Sequence, residues 1–254
     1  MTVILALKSA EGLVLATDSQ ATAQMPGGQA IKMDAVKLVR HESHILWAGT
    51  GAQGCSQRVE LMLQENRERI KPELATNRIG ISIHSCANTI QKESRNAYIQ
   101  YTPQAPVEAW GGIFCGLASD GFFIQEVDLN GGWQFHPDYA ATGSGYDFAL
   151  LAASSVKHHN VGTKSLEHAK VLAYRAIEMT CNASAFGVGL PVQMGVVTEE
   201  GASILGEEEI KNLEETVNLW KKAEVDALGV SLGGEGGEEE VVDEDDPGLD
   251  APEG

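Results

Sequence analysis

Thr2 is the residue whose type and position could supply a nucleophile. A threonine hydroxyl is a weak nucleophile at neutral pH, but a free α-amino group on the same residue, with a pKa of about 8, can accept its proton directly or through water. Thr2 becomes the first residue when Met1 is removed, and methionine aminopeptidases generally remove Met1 before a side chain this small. We therefore expect an N-terminal nucleophile that needs no propeptide.

Two other sequence patterns are typical of ligand sites, but the evidence for a nucleotide or a metal at either of them is weak. The segment Gly49–Gly54 satisfies G-x-G-x-x-G after a predicted strand and before a predicted helix. A dinucleotide site needs a second parallel strand ending in an acidic residue about 20 residues on, whereas here a second helix follows. His158 and His159 are adjacent and cannot face one metal from a single side of a helix. We predict no nucleotide, no metal and no other cofactor.

Charge and composition argue against nucleic-acid and membrane partners. The 254 residues include 18 basic and 36 acidic ones, and the net charge of −18 would repel phosphate groups. Ten carboxylates lie between Gly233 and Gly254 without a basic residue, so this tail is expected to be disordered and the remainder carries only −8. The start lacks a signal-peptide pattern, no apolar run approaches the ~18 residues of a membrane span, and the four cysteines are widely spaced. These features predict a cytoplasmic location.

Apolar patterning predicts the elements that would position Thr2. Runs separated by turn residues predict strands at Val3–Leu7, Leu13–Thr17, Val36–Val39, His44–Ala48, Ala109–Ala118, Phe122–Val127, Gln134–Ala141, Val192–Thr198 and Ala202–Leu205. Helical spacing predicts helices at Ala52–Ile70, from about Thr76, and at Tyr146–Lys157, Ser165–Thr180 and Glu207–Leu228. Thr50 is expected to cap the first helix, and Met25–Gly28 to form a loop.

The order of these elements predicts the fold class. Strands that form hairpins and helices that arrive in pairs do not suit a parallel βαβ sheet, but they suit two antiparallel sheets stacked between two helical layers. We predict an α+β protein with a four-layer αββα sandwich at 1–205, an amphipathic helix at 206–228 and the acidic tail at 233–254.

The opening segment resembles the first two strands of proteasome β subunits and of the peptidase of the bacterial two-component proteasome-like protease. Thr2–Lys8 and Gly12–Thr22 carry this resemblance, and Ala48–Ala52 and Thr142–Gly145 are similar to two further family signatures. Each motif is short, but their order, spacing and placement on the predicted elements are specific over about Thr2–Leu205. The resemblance implies the N-terminal-nucleophile (Ntn) hydrolase fold and a threonine peptidase.

The resemblance also implies which charged residues assist Thr2. Lys37 matches the family lysine whose positive charge lowers the proton affinity of the threonine site, and Asp18 matches the acid that pairs with this lysine. A buried lysine without a partner tends to lose its charge, whereas a nearby carboxylate favours the charged form. Lys32 is an alternative, and we favour Lys37 because an apolar strand follows it.

Further site residues follow from the same resemblance. Gly49 resembles the residue whose backbone N–H stabilises the developing oxyanion, typically by ~3 kcal/mol, and Ser144 resembles the serine that hydrogen-bonds near the threonine amine. The residues expected to hold an extended peptide by β-augmentation are Ala21, Thr22 and Gly51. Trp47, two residues before Gly49, either lines a shallow first specificity pocket that favours small P1 residues or is an ordinary core tryptophan.

The chain departs from the family pattern after the helix predicted at Ser165–Thr180. The family usually carries Asp-x-x-Ser before a glycine pair, whereas Asn182–Gly189 contains no aspartate. Asn182 can take that place by hydrogen bonding, but it supplies no charge. The departure bears on turnover more than on the fold.

The resemblance implies an endopeptidase that cleaves unfolded or extended polypeptides inside a homo-oligomeric ring, with an ATPase or regulatory protein as a further partner. Two other functions stay open on the sequence alone. One is acyl transfer on the same scaffold, either amide hydrolysis of a small molecule or peptide ligation. The other is a non-catalytic structural subunit. The missing aspartate and the C-terminal helix favour this alternative. The acidic tail either adds solubility or gates an opening.

Overall fold

Two five-stranded antiparallel sheets form the centre of the computed structural model, which describes residues 2–24, 30–101, 110–155, 157–183 and 187–231. The first sheet contains, in spatial order, β10 (Tyr139–Gly143), β1 (Val3–Lys8), β2 (Leu13–Asp18), β11 (Val192–Thr198) and β12 (Gly201–Ile204). The second contains β5 (Leu38–His41), β6 (Ile45–Gly51), β7 (Trp110–Ala118), β8 (Gly121–Val127) and β9 (Trp133–His136). A separate ribbon pairs β3 (Gln20–Gln24) with β4 (Ala30–Asp34).

Helices cover the outer face of each sheet. The helices α1 (Gln53–Glu65) and α2 (Thr76–Tyr101) pack on the second sheet, and α3 (Tyr146–Ser155) and α4 (Leu166–Ala183) pack on the first. Short 3₁₀ helices occur at 67–69, 157–159 and 161–163, and α5 (Glu207–Ser231) follows the last strand. The layer order confirms the predicted αββα sandwich, and the antiparallel pairing excludes the dinucleotide-binding arrangement considered for Gly49–Gly54.

Strand alternation sorts the apolar side chains into two cores. Along β6, Leu46 and Ala48 face the first sheet, where they join an inter-sheet cluster with residues of β1, β2 and β7. Ile45 and Trp47 point the opposite way and pack with apolar residues of α1 and α2. Since successive side chains of a strand alternate between its faces, Gly49 lies on the same face as Trp47.

The predicted strand at Gln134–Ala141 is wrong, because the chain forms two strands there. β9 ends at His136 and β10 begins at Tyr139, and these two strands belong to different sheets. Pro137 lies between them and lacks the N–H that a continued ladder would need. The crossing has a functional consequence: β10 pairs with β1, and Val3 lies opposite Gly143 at the end of that ladder.

The sequence analysis also missed the ribbon β3–β4 and misplaced one cap. Ile31 and Met33 on β4 are exposed, so the ribbon lacks the buried alternation by which strands are recognised. Thr50 lies within β6, and the residue before α1 is Ala52, which makes no side-chain cap hydrogen bond. The strand predicted to start at Val36 starts two residues later. The predicted loop at 25–28 and the acidic tail at 233–254 lie outside the described residues.

The chain divides into two compact units, Met1–Val217 and Asn218–Gly254, and α5 contributes to both. Within the first unit Leu213 and Val217 of this helix are buried, and within the second Leu219 and Val225 are exposed. Among the residues the structure describes, no helix is long and apolar enough to cross a membrane.

Candidate active site

A cleft of about 650 Å³ opens beside Thr2 at one end of the sandwich. Seven predicted site residues line it: Thr2, Ala21, Thr22, Lys37, Trp47, Gly49 and Gly51. They come from the start of β1, from β3, from the segment before β5, and from β6. The fold thus gathers residues that are distant in sequence around the Thr2 side chain, which is itself 6% exposed.

Asp18 organises the wall of this site through four hydrogen bonds. It is fully buried at the end of β2. Its Oδ1 accepts the N–H of Val3 at 3.0 Å and a proton of Lys37 Nζ at 2.7 Å. Its Oδ2 accepts the N–H groups of Gln20 at 3.1 Å and Gly189 at 3.2 Å. Four donors, one of them charged, offset the large free-energy cost of burying a carboxylate.

Lys37 is nearly buried, and its ammonium group pairs with Asp18. Only 7% of the Lys37 side chain is exposed. Burial lowers the pKa of Lys37 because it disfavours the charged form, and the charge and hydrogen bond of Asp18 oppose this by raising that pKa. The alternative, Lys32, is exposed on β4 and lies opposite Thr22. The structure therefore pairs Asp18 with the lysine that the sequence analysis favoured.

Ser144 contacts the backbone of Thr2 on both sides. The Thr2 nitrogen donates to Ser144 Oγ at 3.0 Å, and the Ser144 hydroxyl donates to the Thr2 carbonyl at 3.3 Å. The flanking glycines permit this approach. Gly143 has φ +97°, and a Cβ there would collide with the Thr2 carbonyl, while a Cβ on Gly145 would lie 2.9 Å from the Cβ of Val3.

Gly49 lines the same cleft as Thr2. β5 begins one residue after Lys37, so Gly49 lies across from Lys37, just past the end of the β5–β6 ladder. A Cβ on Gly49 would be 2.8 Å from both Ser56 Oγ and Trp110 Nε1, which form a hydrogen bond of 3.0 Å behind it. A larger residue at position 49 would therefore displace Ser56 or the Trp110 ring.

Trp47 is a core residue that also lines the cleft, and its part in a specificity pocket stays a prediction. It is 1% exposed, and its ring stacks on Phe114 at a centroid distance of 5.9 Å and meets Trp110 edge-on at 6.2 Å. These aromatic contacts fix the ring in place.

Asn182 lies apart from this cluster. It is exposed near the end of α4 and is not among the residues that line the cleft, and its assignment as a site residue stays a prediction. Cys181, the preceding residue, interacts electrostatically with Asp18 and Lys37. Burial, followed by the charge of Asp18, raises the pKa of the Cys181 thiol to about 12, so the thiol is neutral. Ser184 falls outside the described residues.

The sequence analysis overlooked Cys181 and one further residue, Gln193. The side chain of Gln193 on β11 hydrogen-bonds to the backbone on both sides of the Lys37 side chain. An amide within an otherwise apolar strand was the signal available in the sequence. Its partner could not be inferred, because 156 residues separate the two positions.

Two other regions hold polar groups without forming a comparable site. A cleft of about 720 Å³ lies by β8, β9, β10 and α3, but two of its carboxylates are engaged internally, Glu126 by His136 and Asp128 by the backbone of its own turn. The rings of His158 and His159 are 4.2 Å apart on the surface. Within the described ranges, no group of three or more His, Cys, Asp or Glu side chains could hold a metal ion.

Comparisons with known proteins identify the family and the fold. The family model described as "Proteasome subunit" matches residues 2–192 of the 254. Among solved structures, an Anbu (Gly-1) mutant from Hyphomicrobium sp. strain MC1 superposes with a TM-score of 0.67 at 14% identity, covering 90% of this chain and 97% of that chain. The helical assembly of the Anbu complex from Pseudomonas aeruginosa superposes with a TM-score of 0.67 at 15% identity, covering 89% and 95%. No curated protein matches the chain.

Proposed function

The chain belongs to the proteasome subunit family, and from this premise we propose that it is a threonine peptidase whose nucleophile is Thr2. The observation that carries the proposal is the grouping of the Lys37–Asp18 ion pair and Ser144 around Thr2 at the mouth of a cleft. An N-terminal nucleophile needs a base, a positive charge and a rigid backbone close to one hydroxyl. The Lys37–Asp18 ion pair and the contact between Ser144 and Thr2 support the proposal, and the proposed base is the α-amine that removal of Met1 would free.

In the proposed reaction, removal of Met1 turns the Thr2 nitrogen, held 3.0 Å from Ser144 Oγ, into a free α-amine. The Thr2 hydroxyl oxygen attacks the carbonyl carbon of the scissile peptide bond while the α-amine accepts the hydroxyl proton. The ammonium group of Lys37 favours this deprotonation electrostatically. The backbone N–H of Gly49 stabilises the oxyanion that forms.

The tetrahedral intermediate then collapses, and the C–N bond of the substrate breaks. The leaving nitrogen takes the proton from the α-amine, and the acyl group remains as an ester on Thr2. A water molecule attacks the ester with the α-amine again acting as base, which releases the second product and restores the hydroxyl. No cofactor is required for this sequence, since the base and the positive charge belong to the protein.

We propose an extended polypeptide as the substrate. Ala21 and Thr22 lie on β3, which among the described residues pairs with β4 alone, and both residues line the cleft together with Gly51. An extended peptide between these walls can form strand-like backbone hydrogen bonds with them. Trp47 lines the same cleft, and we propose that its indole limits the first specificity pocket, so that small P1 residues are preferred.

We also propose that the chain self-assembles around an enclosed space, with a ring as the predicted arrangement and an ATPase or regulatory protein as a predicted partner. Large exposed apolar side chains on α3, Phe148 at 43% and Leu151 at 68%, support burial against another subunit. The Pseudomonas aeruginosa neighbour is described as a helical assembly, so open and closed assemblies are the two outcomes to distinguish.

Intact-mass spectrometry with a peptidyl epoxyketone tests the proposal. The Thr2 hydroxyl should add to the ketone and the α-amine should open the epoxide, giving one adduct per chain that lacks Met1. A chain that retains Met1, or that carries no adduct on Thr2, would reject the enzymatic function and leave a structural subunit. Native mass spectrometry of the same protein gives the number of subunits. Hydrolysis rates on substrates of increasing length separate a peptidase from a small-molecule amidase.

Gly49→Ala should impair catalysis while Gly54→Ala should not. The new Cβ at position 49 would press on Ser56 and the buried Trp110 ring, so we expect a loss of about 1–3 kcal/mol in unfolding free energy and a fall of at least about tenfold in kcat, since small misplacements in a site are costly. Gly54 lies in the first turn of α1, and a Cβ added there would have no neighbouring atom within 4 Å. Equal kinetics of the two variants would contradict the role of Gly49.

A further inference from the structure

The side chain of Gln193 ties the backbone segment that carries Lys37 to the first sheet, in addition to the Lys37–Asp18 ion pair and the bond from the Ala35 N–H to the Ser19 carbonyl. Gln193 Oε1 accepts the N–H of Lys37 at 2.9 Å and the N–H of Leu38 at 3.2 Å. Gln193 Nε2 donates to the carbonyl of Ala35 at 2.6 Å. These three bonds also fix the orientation of the amide, because a flipped group would point a donor at two donors.

Strand register explains why Gln193 reaches this segment. On β11, Gln193 lies opposite Thr17, and its neighbour Val192 lies opposite Asp18. Two residues further along the same face, a Cβ on Gly195 would lie 3.4 Å from a methyl group of Leu38, so this face of β11 points toward the second sheet. The strand that pairs with Asp18 therefore also presents Gln193 to the backbone of Lys37.

The Gln193 amide binds the backbone at a point where the second sheet provides no strand pairing. β5 begins at Leu38, so the backbone before it is not held by strand pairing. The Gln193 amide supplies three bonds there in place of a strand neighbour. It also spans the gap between the strand that ends in Asp18 and the segment that presents the Lys37 ammonium group.

We propose that Gln193 is a positioning residue for the peptidase reaction, which sets where Lys37 Nζ lies relative to Asp18 and Thr2. The inference rests on the proposed function. Loss of the amide leaves the N–H groups of Lys37 and Leu38 without their acceptor, and the segment moves toward solvent to hydrate them. The Lys37 side chain moves with its backbone, so its charge leaves the position where it favours deprotonation of Thr2.

A pH profile distinguishes this role from a purely structural one. The Thr2 α-amine accepts a proton only when it is neutral, and a nearby positive charge favours the neutral form. A displaced Lys37 weakens this effect, so the acid limb of the rate profile should move to higher pH. The other titratable or charged groups facing this region are Asp18, Arg40, Glu60, Glu178 and Cys181, and substitution of Gln193 leaves them chemically unchanged.

The test compares Gln193→Met, which keeps the length and removes all three bonds, with Gln193→Asn, which keeps the amide one methylene shorter. Both variants should lose kcat by about 10²-fold with little change in KM, and both should shift the acid limb to higher pH. The matched control is Gln125→Met, because Gln125 is fully buried and donates to the Gly80 carbonyl at 3.0 Å, away from the cleft. Its acid limb should stay in place.

Epoxyketone titration normalises each rate to the number of competent sites. If both Gln193 variants keep the wild-type kcat per titrated site and the wild-type acid limb, the positioning role is overturned while the proposed function stands. If the wild-type chain itself neither forms the adduct nor cleaves peptides, the proposed function has failed instead. Should Gln193→Met not fold, the shorter Gln193→Asn decides between these outcomes.

Discussion

Thr2→Ala is expected to lower peptide hydrolysis by at least about 10⁴-fold, the scale on which removal of a catalytic nucleophile acts, while Thr2→Ser keeps measurable activity. The alanine variant lacks the only hydroxyl that the proposed reaction uses, whereas serine retains both the hydroxyl and the α-amine. Initial rates on an extended peptide substrate measure the difference. Both replacements are small enough for Met1 to be removed, so the new N-terminus is matched.

The control for this experiment is folding. Thr2 is almost buried at the start of β1, and truncation to alanine leaves its backbone hydrogen bonds to Ser144 in place. The thermal midpoint should therefore change little. Residual hydrolysis near the wild-type rate would mean that another nucleophile acts in the cleft, and Ser56, which also lines it, would be the residue to replace next.

Asp18→Asn should damage both stability and catalysis. The carboxylate accepts four hydrogen bonds while fully buried, and an amide must turn its N–H₂ toward one pair of those donors. Breaking a buried ion pair from one side typically costs about 3–5 kcal/mol, and we expect kcat to fall by at least about 10²-fold as the electrostatic support of Thr2 weakens. Urea unfolding and steady-state kinetics measure the two effects.

Asp18→Asn should also shift the pH dependence of the reaction rate in a defined direction. Burial lowers the pKa of Lys37, and Asp18 is the main group that raises it again. Without that carboxylate the pKa of Lys37 falls further, so the ammonium group loses its proton at lower pH. The alkaline limb of the rate profile should then move to lower pH. An unshifted limb would show that Lys37 does not depend on Asp18 for its charge.

Asp226→Asn is the matched control for Asp18→Asn. Asp226 is an exposed residue of α5, so its carboxylate is hydrated in both the folded and the unfolded chain. The control should leave the urea midpoint and the pH limbs unchanged. Comparable losses in the two variants would argue that removal of any acidic charge, rather than the buried contacts of Asp18, causes the effect.

The parts of the fold that sequence patterning predicted are those with strong burial. β1 and β2 are almost wholly apolar and buried, and such runs can be recognised in the sequence as strands. The β3–β4 ribbon has exposed side chains, including Ile31 and Met33, and therefore shows no burial period. The break at Pro137 was not predicted, because apolar residues alternate on both sides of it. The two strands nevertheless belong to different sheets.

The predicted site shows the same division. Thr2, Asp18 and Lys37 belong to short motifs near the start of the chain, where order and spacing are informative. Gln193 and Cys181 belong to no motif, and their relation to Lys37 depends on how β11 and α4 pack against β2. Such long-range register is set by the whole sandwich, so no local pattern in the sequence carries it.

The contacts of Asp18 have a consequence for the timing of activity during synthesis. This carboxylate joins partners that are 15, 19 and 171 residues away along the chain, and Thr2 meets Ser144 across 142 residues. A ribosome-bound chain that has emerged only through α4 already displays its threonine and lysine, yet it lacks Gly189 and the strand that presents Gln193. Distant contacts close late because they carry the largest loop entropy. The fold itself thus delays assembly of the proposed site until β11 has been made.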